Sequence, residues 1–272
     1  MRAFAQSIAN ISQKPIHTQD TQLSSYDMLL SFGYFWQEIP AYRQLFVLHP
    51  LFMQSSSHAQ SLRYEIGTEF GLSWLLAQSL SPLLDTSLPL SQELNLKLAK
   101  IDIGYLASET NIAEEECAEI TAKALNAKSI GIILGKELAL HPHAKDIALI
   151  CGILGTSKKI HIIMPELKEI LTPLQMPDVK LQICEELPES NGHFVYTLPL
   201  TPPCSSNILK VPPLFYPALG LKDNQHITLT FEDKSISAIC KCKKDQKGTI
   251  ALLYLPETMA VGYPYKKVEV IL

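Results

Sequence analysis

No C-x-x-C occurs among the six cysteines (Cys117, Cys151, Cys184, Cys204, Cys240, Cys242) of this 272-residue chain. Zinc sites and iron–sulfur clusters draw their ligands from such close pairs, so the sequence indicates neither. Cys240 and Cys242 are two apart in a strand-like stretch and share a face, but they suit neither centre on their own. Free thiols in a reducing compartment are the expectation. The fingerprint G-x-G-x-x-G is absent, and 12 glycines are few for a chain that wraps a cofactor in backbone loops. There is no G-x-S-x-G, no H-E-x-x-H and no recognisable Ser-His-Asp or Cys-His arrangement. No apolar run approaches the ~18–20 residues that span a bilayer. The N-terminus lacks the apolar core of a signal peptide. Charge is mild, with 23 basic against 27 acidic residues, which excludes a strongly basic nucleic-acid binder. Charged residues are 18% and hydrophobic ones 47%, a balance that suggests a partner covers part of the surface.

Two glycine-bearing stretches come near to phosphate loops and fail on specific counts. Gly131 and Gly135 are separated by three residues where the pattern has four, and Glu137 stands where Ser or Thr would hold magnesium. A carboxylate there repels phosphate. Gly152 and Gly155 fall at the end of a predicted helix, whereas phosphates bind at helix starts. His141-Pro142-His143 invites a metal reading, but the side chains are expected to diverge, no third ligand is suggested nearby, and capping and surface roles are the expectation.

What is present centres on Ser129–Glu166. An apolar run (Ser129–Gly135), a helical stretch (Pro142–Leu154) and a second apolar run (Ile160–Met164) form one βαβ unit, the building block of open parallel sheets. Pro142 suits the first helical position, and Gly155 suits a left-handed stop. Upstream, residues 1–24 are polar, and Phe4, Ile8 and Ile11 stand at helical spacing. Leu45–Leu48 reads as a buried strand. Thr68–Leu80 reads as a helix with Thr68 as cap, and Ser91–Lys100 as a shorter one. Asn111–Glu114 resembles a capping box ahead of a helix to about Asn126. Val179–Cys184 and His193–Leu198 read as strands. Pro199, Pro202, Pro203, Pro212, Pro213 and Pro217 mark a stiff connection. Beyond it the period becomes two, in 226–231, 235–242, 248–255 and 266–272. The sequence shows no internal repeat.

The predicted fold class is therefore α/β: a mostly parallel, Rossmann-like sheet flanked by helices on both faces, with a small C-terminal β-domain. The expected organisation is an arm (1–24), an α/β domain (25–198), a proline-rich connection (199–219) and the β-domain (220–272). Two segments offer partner-docking surfaces: Tyr26, Phe32, Tyr34, Phe35 and Trp36, and the lysines Lys241, Lys243, Lys244 and Lys247, which suit an acidic partner. Residues alone indicate no catalytic group, no cofactor ligand and no metal ligand.

Four short phrases in one order carry a resemblance. Gly135–Ala148 resembles "G-E-D-L-x-x-H-P-R-A-x-N-I-A" of the molybdopterin-oxidoreductase-like region in the large peripheral-arm subunit of bacterial respiratory complex I. It is looser at Lys136, Glu137, His143 and Asp146. Tyr64–Gly71 is similar to that subunit's "E-x-G-S-E-E-G", Ile103–Asn111 to its "G-Y-L-S-x-E-S-N", and Gly262–Val268 to its closing "G-Y-x-Y-K-x-V". The family's iron–sulfur domains, with their clustered cysteines, have no counterpart here. The resemblance implies a short paralogue or replacement subunit: a non-catalytic accessory subunit of a complex I-like NADH-quinone oxidoreductase. It would have no cofactor of its own. It would sit beside the other peripheral-arm subunits, the iron–sulfur large subunit above all, on the cytoplasmic side of the inner membrane. Some such complexes are thought to take electrons from a flavodoxin-like carrier. The alternative is a stand-alone oxidoreductase or a nucleotide- or pterin-binding protein of the same fold.

Overall fold

A computed structural model of the chain describes residues 1–18, 21–39, 42, 44–52, 59–177, 179–200, 206–215, 219–260 and 262–272. Pro40, Pro202, Pro203, Cys204 and Pro217 lie outside the described residues. The chain divides into two compact units, Met1–Glu189 and Ser190–Leu272. No helix among the described residues is long and apolar enough to cross a membrane.

The first unit is a five-stranded parallel sheet with helices: α1 (Arg2–Ser12), β1 (Met28–Phe32), β2 (Leu45–Leu48), β3 (Ala59–Leu62), α2 (Glu69–Leu80), α3 (Pro89–Leu98), α4 (Ile103–Thr110), α5 (Glu114–Asn126), β4 (Ile130–Leu134), α6 (Ala144–Gly155) and β5 (Ile160–Ile163). The strand order is β3-β2-β1-β4-β5. His17 bridges Ile163 in parallel, so the segment after α1 extends the sheet beyond β5.

Alternation along the strands sorts their side chains onto two faces. Met28, Leu30, Phe32, Phe46, Leu48, Ile130, Ile132 and Leu134 join the cluster built with the helices. Leu29, Leu45, Val47, Ile133 and Ile163 form a separate cluster, and Tyr26, Tyr34, Phe35, Trp36, Ile39 and Tyr42 pack on it. Helices on both faces were expected; here the second face is covered by the β1–β2 connection. Crossover handedness gives the reason. The chain steps from β1 to β3 toward one edge and from β3 to β5 toward the other. Right-handed crossovers then place the two sets of connections on opposite faces. The described residues of the β1–β2 link form no helix, and its aromatic side chains form the cover.

Helix α6 is buried all round from Ile147 to Gly155. Its glycines are sites of close approach. A Cβ on Gly152 would stand 2.7 Å from Ile11 Cβ, and one on Gly155 would stand 2.8 Å from Ser12 Cβ. The predicted left-handed stop at Gly155 is therefore corrected: the residue is helical, and Thr156 is the cap. Pro142 lies before the helix, which starts at Ala144.

Three other local expectations differ. Thr68 precedes α2, but its hydroxyl donates to the Glu65 carbonyl at 2.7 Å and does not cap the helix. Asn111 ends α4 in the left-handed region (φ 59). The acid that serves α5 is Glu116, whose carboxylate accepts the Ala113 N–H at 2.8 Å. Val179–Cys184 forms no strand; Leu181 and Cys184 are buried from an extended segment. Helix α4, which periodicity did not reveal, starts where Asp102 accepts the Tyr105 N–H at 2.9 Å.

The second unit, expected as a small β-domain, is a closed six-stranded barrel. Its strands are β6 (His193–Pro199), β7 (Ile208–Val211), β8 (His226–Phe231), β9 (Lys234–Cys242), β10 (Ala251–Leu255) and β11 (Tyr265–Ile271), in the order β10-β6-β11-β8-β9-β7. Among the described residues β6 pairs with β10 and β11, the second unit begins at Ser190, and β7 lies within the predicted proline-rich connection. Closure leaves no strand edge to template aggregation. The connectivity has an internal two-fold relation. Exchanging β6 with β9, β7 with β10 and β8 with β11 maps the pairing scheme onto itself, and the parallel pair β6–β10 becomes the parallel pair β7–β9. Two three-strand halves are thus interlocked although the sequence shows no repeat. Val195, Leu209, Leu229, Cys240 and Leu253 are among the side chains that fill the interior.

Candidate functional site

β1 and β4 are neighbours at the middle of the sheet, and the chain leaves them toward opposite edges. In open parallel sheets the crevice beyond the carboxyl ends at such a reversal is where ligands bind. Here Gly33 follows β1 with φ 61, and Gly135 follows β4 with its backbone against the Gly33 carbonyl. Leu138 and the Tyr64 hydroxyl stand next to Gly33. The chain's own residues take up this space.

Around it lie two matching turns. His49-Pro50-Leu51 follows β2, and the Leu51 N–H donates to His49 Nδ1 at 3.1 Å. His49 Nε2 then faces Glu137 Oε1 at 3.3 Å. His141-Pro142-His143 repeats the arrangement: the His143 N–H donates to His141 Nδ1 at 3.0 Å. His141 Nε2 lies 3.2 Å from Glu69 Oε2 and 3.1 Å from the Gly67 carbonyl. Proline has no N–H, so the next N–H is the one that reaches the ring. A ring nitrogen that accepts from a backbone N–H carries no proton, and the hydrogen-bond pattern assigns both imidazoles as neutral Nε2–H tautomers. His49 Nε2 donates to the Glu137 carboxylate, His141 Nε2 donates to the Gly67 carbonyl with Glu69 beside it, and Tyr64 lies 3.5 Å from Glu69 Oε1. The side chains of His49, Glu137, His141 and Glu69 are all at most 3% exposed. Buried carboxylates need such donors.

Glu166, just beyond β5, lies near Glu137 and Lys136. Burial pushes its carboxyl up to about 7, and the nearby Glu137 adds to the rise. The Lys136 charge and the N–H groups of Lys136 and Glu166 itself oppose it. Glu166 also contributes to raising Tyr34, behind the larger effect of burial on that phenol. The sign of the stability effect follows directly. Between about 4.5 and about 7 the unfolded chain releases this proton while the folded chain keeps it, so stability falls as pH rises through that window and levels off above it. The shift corresponds to something on the order of 3 kcal/mol. Glu166→Gln is expected to match the parent near pH 4.5 and to exceed it by roughly 2 kcal/mol at pH 8. Urea unfolding at both values checks this; a gain independent of pH would sink it.

The predicted docking residues separate in the structure. Phe32 is fully buried on the helix-side face and is removed from any docking surface. Tyr26, Tyr34, Phe35 and Trp36 are half-buried on the opposite face. The Trp36 indole N–H donates to Ser31 Oγ at 2.8 Å, and the ring packs edge-on to Tyr34. Lys241 is held by Asn224 Oδ1. Lys243, Lys244 and Lys247 are exposed at and after the end of β9. His141 turns inward, while His143 stacks on Phe70 with centroids 5.0 Å apart; the two imidazoles do not diverge as expected, their centroids being 5.8 Å apart. A surface role for His141 is corrected by its burial. No group of three or more His, Cys, Asp or Glu that could hold a metal is found among the described residues.

His49, Glu69, Glu137 and Glu166 were not foreseen as one site. The visible signal was the repeated His-Pro dipeptide. The partners are carboxylates distant in the chain, which no local pattern connects. Comparison with protein-family models and with curated proteins finds no match to this chain.

Proposed function

We propose that this chain is a non-catalytic accessory subunit of the peripheral arm of a complex I-like NADH-quinone oxidoreductase. The observation that carries the reading is convergence. Two of the four resembling phrases, far apart in sequence, meet around one site, and another packs against the first of them through the Glu65 N–H on the Thr110 carbonyl. Tyr64, Gly67 and Glu69 come from the first. Asn111, at the end of the second, donates to the Arg63 carbonyl at 3.1 Å. Gly135, Glu137 and His141 come from the third. The fourth, Gly262–Val268, runs into β11. The space at the strand reversal that would take a ligand is lined by Leu138, Tyr64 and the two glycines, which supports a scaffold role over cofactor chemistry. Exposed Lys243 and Lys244 offer charge to an acidic, flavodoxin-like carrier.

The test is purification of the respiratory complex from detergent-solubilised membranes through another peripheral-arm subunit. Mass spectrometry is expected to find this chain in stoichiometric amount, next to the iron–sulfur large subunit. Its absence from the intact complex would end the proposal. Near-ultraviolet or visible bands from the purified chain would favour the alternative, a stand-alone oxidoreductase or a nucleotide- or pterin-binding protein. K243E/K244E in the complex is expected to slow carrier reduction; an unchanged rate removes the carrier role.

A further inference from the structure

A separate concavity of about 550 Å3 opens between α1 and the first half of α6. Phe4 and Ile11 of α1, Leu149 of α6, and Val179 supply apolar walls. Ala144 and Ala148 leave the volume open because their side chains are short. Its size and its mostly apolar lining fall within the range of sites that enclose one small organic molecule. A partner helix would need a longer trough.

Charge is uneven at the rim. Lys145 and Lys180 line the opening and are exposed, and neither forms a salt bridge among the described residues. Asp146, the carboxylate in the lining, faces His143 Nδ1 at 3.5 Å. An apolar interior with cationic groups at the mouth matches a molecule with an apolar body and an anionic end. We propose that this concavity binds an aliphatic carboxylate, with the chain between α1 and α6 and the head group at Lys145 and Lys180. The inference stands apart from the accessory-subunit reading, and neither depends on the other.

The experiment uses the full chain and dodecanoate below its micelle concentration. Calorimetric titration is expected to give saturable one-to-one binding, at least tenfold tighter than dodecyltrimethylammonium, which has the same tail and the opposite charge. K145E/K180E changes only exposed side chains and is expected to weaken dodecanoate at least tenfold while unfolding at the same temperature as the parent. Ala144→Leu, at a half-buried position, fills the volume and is expected to abolish binding with the lysines intact. No saturable binding of dodecanoate overturns the proposal. So does equal affinity for the two probes, and so does affinity unaffected by either variant. If Ala144→Leu fails to fold, the lysine variant and the probe comparison decide alone.

Discussion

Gly135→Ala is expected to leave the chain unable to hold its native sheet. A Cβ at this position would lie 1.6 Å from the Gly33 carbonyl oxygen, 2.3 Å from its carbon and 2.7 Å from Tyr34 Cα. All three are backbone atoms, so no rotamer change relieves the overlap. Either β1 or β4 must move at its carboxyl end. The Gly135 N–H donates to the Phe32 carbonyl at 3.0 Å, and that contact would be lost with the movement. Overpacking in a deformable core costs about 1–3 kcal/mol. Backbone against backbone belongs to the rarer class above about 4 kcal/mol. Total stabilities are about 5–15 kcal/mol, so most of the margin is at stake. Gly104→Ala is the matched control. Its Cβ would meet only Asp102 Oδ1 at 3.5 Å and Glu114 Oε1 at 3.6 Å, and alanine favours an exposed helix by roughly 0.5–1 kcal/mol. Urea unfolding followed by near-ultraviolet circular dichroism should show collapse for the first and a small gain for the second. A Gly135→Ala chain within about 1 kcal/mol of the parent would refute the reading of this contact.

His141→Ala is expected to cost about 1–3 kcal/mol, the range for leaving buried polar groups without their hydrogen-bond partner. The loss would remove the imidazole that stands 3.2 Å from the Glu69 carboxylate, which is 0% exposed. It would also free the His143 N–H and the Gly67 carbonyl from their contacts with the ring. His49→Ala is expected to behave similarly through Glu137. The two pairs share a region, so the double variant tests coupling, with a non-additive part of roughly 0.5–3 kcal/mol expected. A metal role makes a different forecast: added zinc would raise the melting temperature of the parent and not of His141→Ala. Unchanged stability on adding zinc, together with the loss in His141→Ala, is the expected result. A loss under about 1 kcal/mol would mean that the imidazole does not support Glu69.

Much of the architecture was legible because it is written in short-range pattern. The apolar runs at Leu45–Leu48 and around Gly131 and Ile162 are strands. The spacing of Phe4, Ile8 and Ile11 is a helix face, and all three are buried. The period-two stretches after residue 225 are β8 to β11. Elements escaped where pattern is weak: β3 is polar at two of its four positions and only half-buried at three, and β7 sits among prolines. The candidate site was legible only as separate words. His49-Pro50 and His141-Pro142 were visible, but their carboxylate partners stand 88 and 72 residues away. Hydrogen bonding over such separations leaves no trace in local periodicity.

By itself the sequence determined the class: strands and helices that alternate, then a β-rich end, with no pattern for phosphate, zinc or a nucleophile. It also determined where Gly135 falls, though spacing reads that glycine only as a failed phosphate loop. The tertiary structure decided the rest. Crossover handedness placed Tyr34, Phe35 and Trp36 as the cover of one sheet face, because two opposite directions of travel need two opposite faces. Non-local pairing turned four predicted strands into a six-stranded barrel, because a free edge is closed only by strands distant in the chain. The meeting of β1 and β4 made Gly135 a contact point between backbones, since only a residue without Cβ admits the Gly33 carbonyl there.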